Sequence, residues 1–345
     1  MKIATSLVTA AGSQQPPWQE CVDFARAADR IGVDSIWSAE AWIADAVSPL
    51  GYLAACTERI RLGAGILQMT ARAPAVTAMT AMTLNRISDG RFLLGLGASG
   101  PKVVEGLHGI PFERPVSRLR ENVQIVRRAI SGAPIVHEGD AIRLPHSGRE
   151  RDAMRLGLPP DPDIPIYLGS LSPKSLELTG ELADGWLAQV FVPEGSQAAF
   201  ASLATGAERS GRSLADLDVV ANVPLCFDED VEGAIERARA ALAFTLGAMG
   251  SPDKNFYVDA YTRAGYGESA RRVQSLWREG KRREATAAVP EELVLRTRLL
   301  GDEAQMTARL RAYRDAGVTT LRITPEAASP AARIEALERI VALAS

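Results

Sequence analysis

LNRISDGRFLLGLGAS, residues 84–99, holds the end of a helix, a glycine stop and one whole strand. Glycine closes a helix because it enters the left-handed conformation at little cost. The apolar run after it lacks the polar alternation of a half-exposed strand. Such runs are expected where helices cover both faces of a parallel sheet. The pattern recurs at 28–40 (ADRIGVDSIWSAE), 180–190 (GELADGWLAQV) and 313–325 (YRDAGVTTLRITP), and more weakly at 56–67 (CTERIRLGAGIL).

Extending this reading outward predicts eight strands, at 2–8, 35–40, 60–67, 92–98, 165–170, 185–190, 217–225 and 319–324. Helices are predicted at 18–31, 45–57, 74–87, 115–131, 173–183, 196–210, 229–248, 302–316 and 330–344. Eight similar units favour an α/β fold of the closed (β/α)8 TIM-barrel type over an open doubly wound sheet. A minimal barrel needs about 250 residues, and this chain has 345. The surplus falls in two segments. Residues 132–163 are rich in Pro and Gly and contain a hairpin-like PIVHEGDAIRL, and residues 250–299 are polar and helix-rich. Both are expected to leave the C-terminal mouth of one single domain, 1–345.

Composition narrows the function classes. Hydrophobic residues make up 46% and charged residues 23%, so wholesale disorder is excluded. A net charge of −3 speaks against a nucleic-acid-coating protein. No apolar run reaches the length of a membrane span. The first residues, MKIATSLVTAAGSQQPPW, lack a secretory apolar core and read as a first strand. Cys21, Cys56 and Cys226 are odd in number and far apart, which fits a reducing cytoplasm better than a disulfide framework.

In a barrel the site lies where the strands end. Strand 4 ends in Gly97-Ala98-Ser99-Gly100, and strand 5 in Gly169-Ser170-Leu171, with Ser172 as N-cap and Ser175 in the first turn of the next helix. Two Gly-Ser loops on neighbouring strands, one opening a helix, suit a phosphate. Either loop alone is equally good turn chemistry. Strand 2 delivers Glu40, beside Trp42 and followed by Asp45; both acids are candidates for acid–base work, against the plainer reading of exposed loop acids. His108, His137 and His146 have no metal-ligand spacing, and no Walker, dinucleotide or GxSxG motif is present. Residues 254–283 hold eight Lys or Arg against three acids, a basic surface that would attract an anion or simply be a solvated helix face. Phe256, Tyr257, Tyr261, Tyr266 and Trp277 are expected to pack this segment down.

Taken in order, the segments 36–112, 165–186 (PIYLGSLSPKSLELTGELADGW) and 254–266 (KNFYVDAYTRAGY) resemble the luciferase-like flavin and deazaflavin oxidoreductases. Within that family they resemble the branch that uses coenzyme F420 and includes the methylenetetrahydromethanopterin reductases. The resemblance implies a cofactor phosphate on the strand-4 and strand-5 loops. It also implies a non-prolyl cis peptide at the end of strand 3, at Gly65-Ile66 or, as next choice, Ala64-Gly65, supporting the ring of the cofactor. The implied chemistry is hydride transfer between C5 of the deazaflavin and a small organic substrate. The chain departs from relatives in two places. Ala41 stands where many carry a histidine, and Gly100-Pro101 stands where the sugar-phosphate dehydrogenases carry a glutamate. Sugar-phosphate oxidation is therefore not expected. Two other readings stay open: an FMN-dependent monooxygenase on the same barrel, and a cofactor-binding protein without turnover. A homodimer through the helices flanking strands 2 and 3 is expected from the family.

Overall fold

The computed structural model describes residues 1–7, 16–40, 42, 44–228, 230–250 and 254–344. Eight parallel strands form a ring: β1 (Lys2–Ser6), β2 (Ser35–Ser38), β3 (Arg61–Ala64), β4 (Phe92–Gly97), β5 (Ile166–Gly169), β6 (Gly185–Ala188), β7 (Asp218–Cys226) and β8 (Thr320–Pro325). Each pairs with the next, and β8 returns to β1 with Arg322 opposite Ala4. The closed (β/α)8 barrel is the fold that the recurring helix–glycine–strand units predict. The expected end of the first strand, Val8, lies outside the described residues.

The glycines of those units do two different jobs. Gly32, Gly90 and Gly317 follow helices with φ of 89°, 78° and 93°, as helix stops should. Gly185 and Gly63 are strand residues instead. A Cβ on Gly185 would stand 2.1 Å from the Tyr167 ring, and one on Gly63 would stand 2.3 Å from the Trp37 ring. These two glycines make room for the aromatic plug of the barrel. The plug consists of Ala4, Trp37, Leu93, Tyr167, Leu187 and Val220, with Trp37 and Tyr167 meeting edge to face at 5.2 Å. Its polar tips are satisfied: Trp37 Nε1 donates to Ser35 Oγ and the Tyr167 hydroxyl to Asp218 Oδ2.

The two insertions separate. Helix Pro115–Ile130 runs back from the mouth, so the segment after it starts at the base and leads into the N-terminal end of β5. Its strands His137–Glu138 and Arg143–Leu144 form the expected hairpin. The hairpin lies along helix Pro115–Ile130, where buried Glu121 accepts from the N–H groups of Ala141 and Ile142. The expectation that 132–163 leaves the mouth is thus corrected: a connection that follows a barrel helix begins and ends on the face opposite the strand ends. The second insertion does rise from the mouth, and it is longer than expected. It spans 227–300 and includes helix Val231–Ala248, whereas helix Glu303–Asp315 is the one that leads into β8. It has its own apolar core, including Leu242, Leu246, Tyr261, Val273 and Leu293. It ends in a two-residue strand, Leu299–Leu300, paired with the end of β7.

Candidate active site

A cavity of about 770 Å³ opens at the mouth. Its wall includes all ten residues expected to bind a cofactor: Gly65, Ile66, Gly97, Ala98, Ser99, Gly100, Gly169, Ser170, Leu171 and Ser175. The Gly65–Ile66 peptide is cis. The Ile66 side chain lies against the strand ends, since Cβ atoms on Gly97 and Gly169 would come within 2.9 and 3.0 Å of it. The serines of the loops are not equivalent. The Ser170 hydroxyl is buried and bonded to Thr179 Oγ1, and its carbonyl accepts from Trp186 Nε1. Ser175 and Ser172 form a capping box at helix Pro173–Leu182. Strand 5 therefore offers the cavity mainly backbone. Ser99 sits at φ 59°, and its hydroxyl has no protein partner among the described residues.

Glu40 lines the cavity and Asp45 does not. Asp45, one residue ahead of the N-cap Ala46, accepts from Ser48 N–H at 2.7 Å in the first turn of helix Val47–Cys56. Glu40 is held from three sides. Its Oε2 accepts from Arg72 Nη1 and from Gln68 N–H, and its carbonyl accepts from the Gln68 side chain. Gln68 in turn meets His108 Nε2 at 3.0 Å, so His108 is a satisfied histidine of this network. Arg72, which fixes the carboxylate, escapes sequence reading because nothing in its spacing ties it to Glu40. Ala41 lies outside the described residues.

The insertion 227–300 roofs the cavity with Phe244, Met249, Lys254, Phe256 and Tyr257. Here the packing role expected for Phe256 is corrected, since it faces the cavity, whereas Tyr257 both lines the cavity and packs on the insertion's core. Burial pushes the Tyr257 hydroxyl above its ordinary pKa. Tyr261 and Trp277 do pack inside the insertion. Of the eight basic residues of 254–283, Lys254 is on the wall. Arg263 donates to the Leu171 carbonyl and ties the roof to the strand-5 loop. The floor is polar. Arg322 and Gln189, from β8 and the end of β6, line it beside Leu187. Neither residue was singled out by sequence reasoning.

Residues 1–320 match the luciferase-like monooxygenase family. The chain belongs to it. A Mycobacterium tuberculosis family relative, Rv3520c, provisionally named a coenzyme F420-dependent oxidoreductase, is 36% identical over 94% of this chain and 95% of its own length. The 5,10-methylenetetrahydromethanopterin reductase of Methanolobus tindarius is 33% identical over 69% of this chain and 70% of its own. The structure of the coenzyme F420-dependent tetrahydromethanopterin reductase from Methanopyrus kandleri superposes with a TM-score of 0.78 at 24% identity. It covers 99% of this chain and 97% of that one, which establishes the shared fold.

Proposed function

We propose that this family member is an F420-dependent oxidoreductase that transfers a hydride between the deazaflavin C5 and a small organic substrate. One observation carries the reading: the strand-4 loop, the strand-5 loop and the Gly65–Ile66 corner converge on a single cavity under a roof of aromatic side chains. The F420-dependence named for the mycobacterial relative supports the choice of cofactor.

The residues present fit the group. No described residue other than its chain neighbours comes within 4 Å of where a Cβ on Gly100 would stand, so the backbone there is open to a phosphate. Ser99 adds a hydroxyl without a partner among the described residues. Gly97–Gly100 and Gly169–Leu171 would hold the phosphate, and Gly65 and Ile66 would support the ring. Phe244, Phe256 and Tyr257 would exclude water. When bound, the deazaflavin supplies the hydride chemistry, and the protein supplies orientation. Glu40, an acid on the wall, is the candidate for orienting substrate or handling a proton. Asp45, off the cavity wall and bonded to the Ser48 N–H, is left out of this proposal.

Titration of the purified protein with F420, followed by its fluorescence, and in parallel with FMN tests this reading. Tight F420 binding with weak FMN binding is expected. Preference for FMN would transfer the site to the monooxygenase reading, and binding of neither would end the cofactor assignment.

A cytoplasmic homodimer is part of the same proposal. No helix of the described residues is long and apolar enough to cross a membrane. Tyr52, Val76 and Met79 are exposed on helices Val47–Cys56 and Pro74–Ile87, the helices that flank β2 and β3. Sedimentation is expected to give twice the chain mass; a monomer at micromolar concentration would remove this part.

A further inference from the structure

Arg322 is the part of the cavity that the proposed function leaves unused. It is 8% exposed and lines the floor. Its Nε donates to Asn222 Oδ1 at 3.2 Å and its Nη2 to Gln189 Oε1 at 3.3 Å. Both partners are neutral amides. Among the described residues no carboxylate bonds to it or lies within ion-pair distance. Among the described residues its Nη1 has no hydrogen-bond partner; it stands beside Gly65, where a Cβ would approach it to 2.7 Å. Burial draws its pKa down to about 10, so it keeps its charge at neutral pH.

A buried charge without a counter-charge is costly, and an apolar side chain of similar size is commonly as stable or more so. A lone guanidinium on a cavity floor therefore points to a ligand that brings negative charge to it. In the ring of eight strands β8 stands across from β4. The strand-4 loop and Arg322 thus flank the Gly65–Ile66 corner from two sides. A ligand with its phosphate on that loop and its ring over the corner extends toward Arg322.

We propose that Arg322, held by Asn222 and Gln189, binds the carbonyl-bearing pyrimidine edge of the deazaflavin and makes the cavity prefer the reduced cofactor. This rests on the F420 reading. A hydride gained at C5 forms one C–H bond there, breaks one in the donor, and leaves one added negative charge on the ring until a proton follows. That charge spreads to the pyrimidine edge. Glu40 on the cavity wall is already ion-paired with Arg72, so that pair brings no net positive charge to the ring. A fixed cation offsets the charge before any proton arrives.

The test is anaerobic titration of wild-type protein and R322M with oxidised F420 and with reduced F420, beside melting curves of the unliganded proteins. The wild type is expected to bind the reduced form at least tenfold more tightly, equivalent to raising the bound potential by about 30 mV per tenfold. R322M is expected to bind both forms about equally, with a melting temperature unchanged or raised. R322K, which keeps the charge, is expected to retain part of the preference, and it carries the test if R322M does not fold. A wild-type ratio near one, or the same ratio in R322M, overturns the proposal and leaves Arg322 to another anion such as a substrate carboxylate. A lower melting temperature with the ratio kept marks a structural role and overturns it too. Wild-type protein that binds neither form overturns the F420 reading itself, and this proposal with it.

Discussion

The segments 132–163 and 250–299 look alike in sequence, as long excursions between barrel elements, but only the second, as part of the insertion 227–300, meets the cavity. The first follows a helix and the second follows a strand. In a (β/α)8 barrel that one difference decides the outcome, because strands end at the mouth and helices end at the base. The basal hairpin is fastened by a buried glutamate accepting backbone N–H groups. The roof is fastened by its own apolar core and by Arg263 on the Leu171 carbonyl. Binding should therefore respond to changes in the roof and stability to changes in the hairpin.

The largest effect that would sharpen this contrast is expected from the double change Phe256→Ala and Tyr257→Ala. Removing two aromatic walls should weaken F420 binding about 100-fold, in line with the loss of buried aromatic anchors, together with some loss of stability because Tyr257 also packs on the roof's own core. Fluorescence titration measures the first and urea unfolding the second. Unchanged affinity would mean that the roof is structural, like the hairpin. A smaller effect, of opposite kind, is expected from Glu121→Ala. It leaves the Ala141 and Ile142 N–H groups without their charged acceptor and should cost about 2 kcal/mol of stability. F420 affinity should stay within twofold. If affinity fell instead, the base and the mouth would be coupled and the contrast would fail.

The fold was legible because each barrel unit carries its own punctuation, a helix stop followed by an apolar run. The Gly-Ser loops were legible for a related reason: their chemistry is local to one strand end and one helix start. Sequence reading failed where partners come from different strands. Glu40 was readable as an acid leaving a buried strand, but Arg72, which holds it, was not. Asp45 carried a local signal that pointed the other way, an acid three residues before a helical N–H, which is capping chemistry. Phe256 has the composition of a packing residue, and only the position of the roof turns it toward the cavity; Tyr257 does pack and lines the cavity as well. Arg322 did leave a trace. In TLRITP it is a charged residue inside a strand otherwise made of apolar, Thr and Pro residues, and such a charge needs a partner or a ligand.

The pairing of Leu299 with Leu225, and the hydrogen bond from Gly301 N–H to the Cys226 carbonyl, bring the roof back to the barrel beside the point where it left. A segment whose two ends are hydrogen-bonded neighbours, and whose interior has its own core, behaves as a cassette. Inserted units of this kind are exchanged with little disturbance to the host. The barrel and its Gly-Ser loops can then stay constant while the roof is replaced by graft or by evolution, and the shape of the cavity changes without rebuilding the floor beneath it.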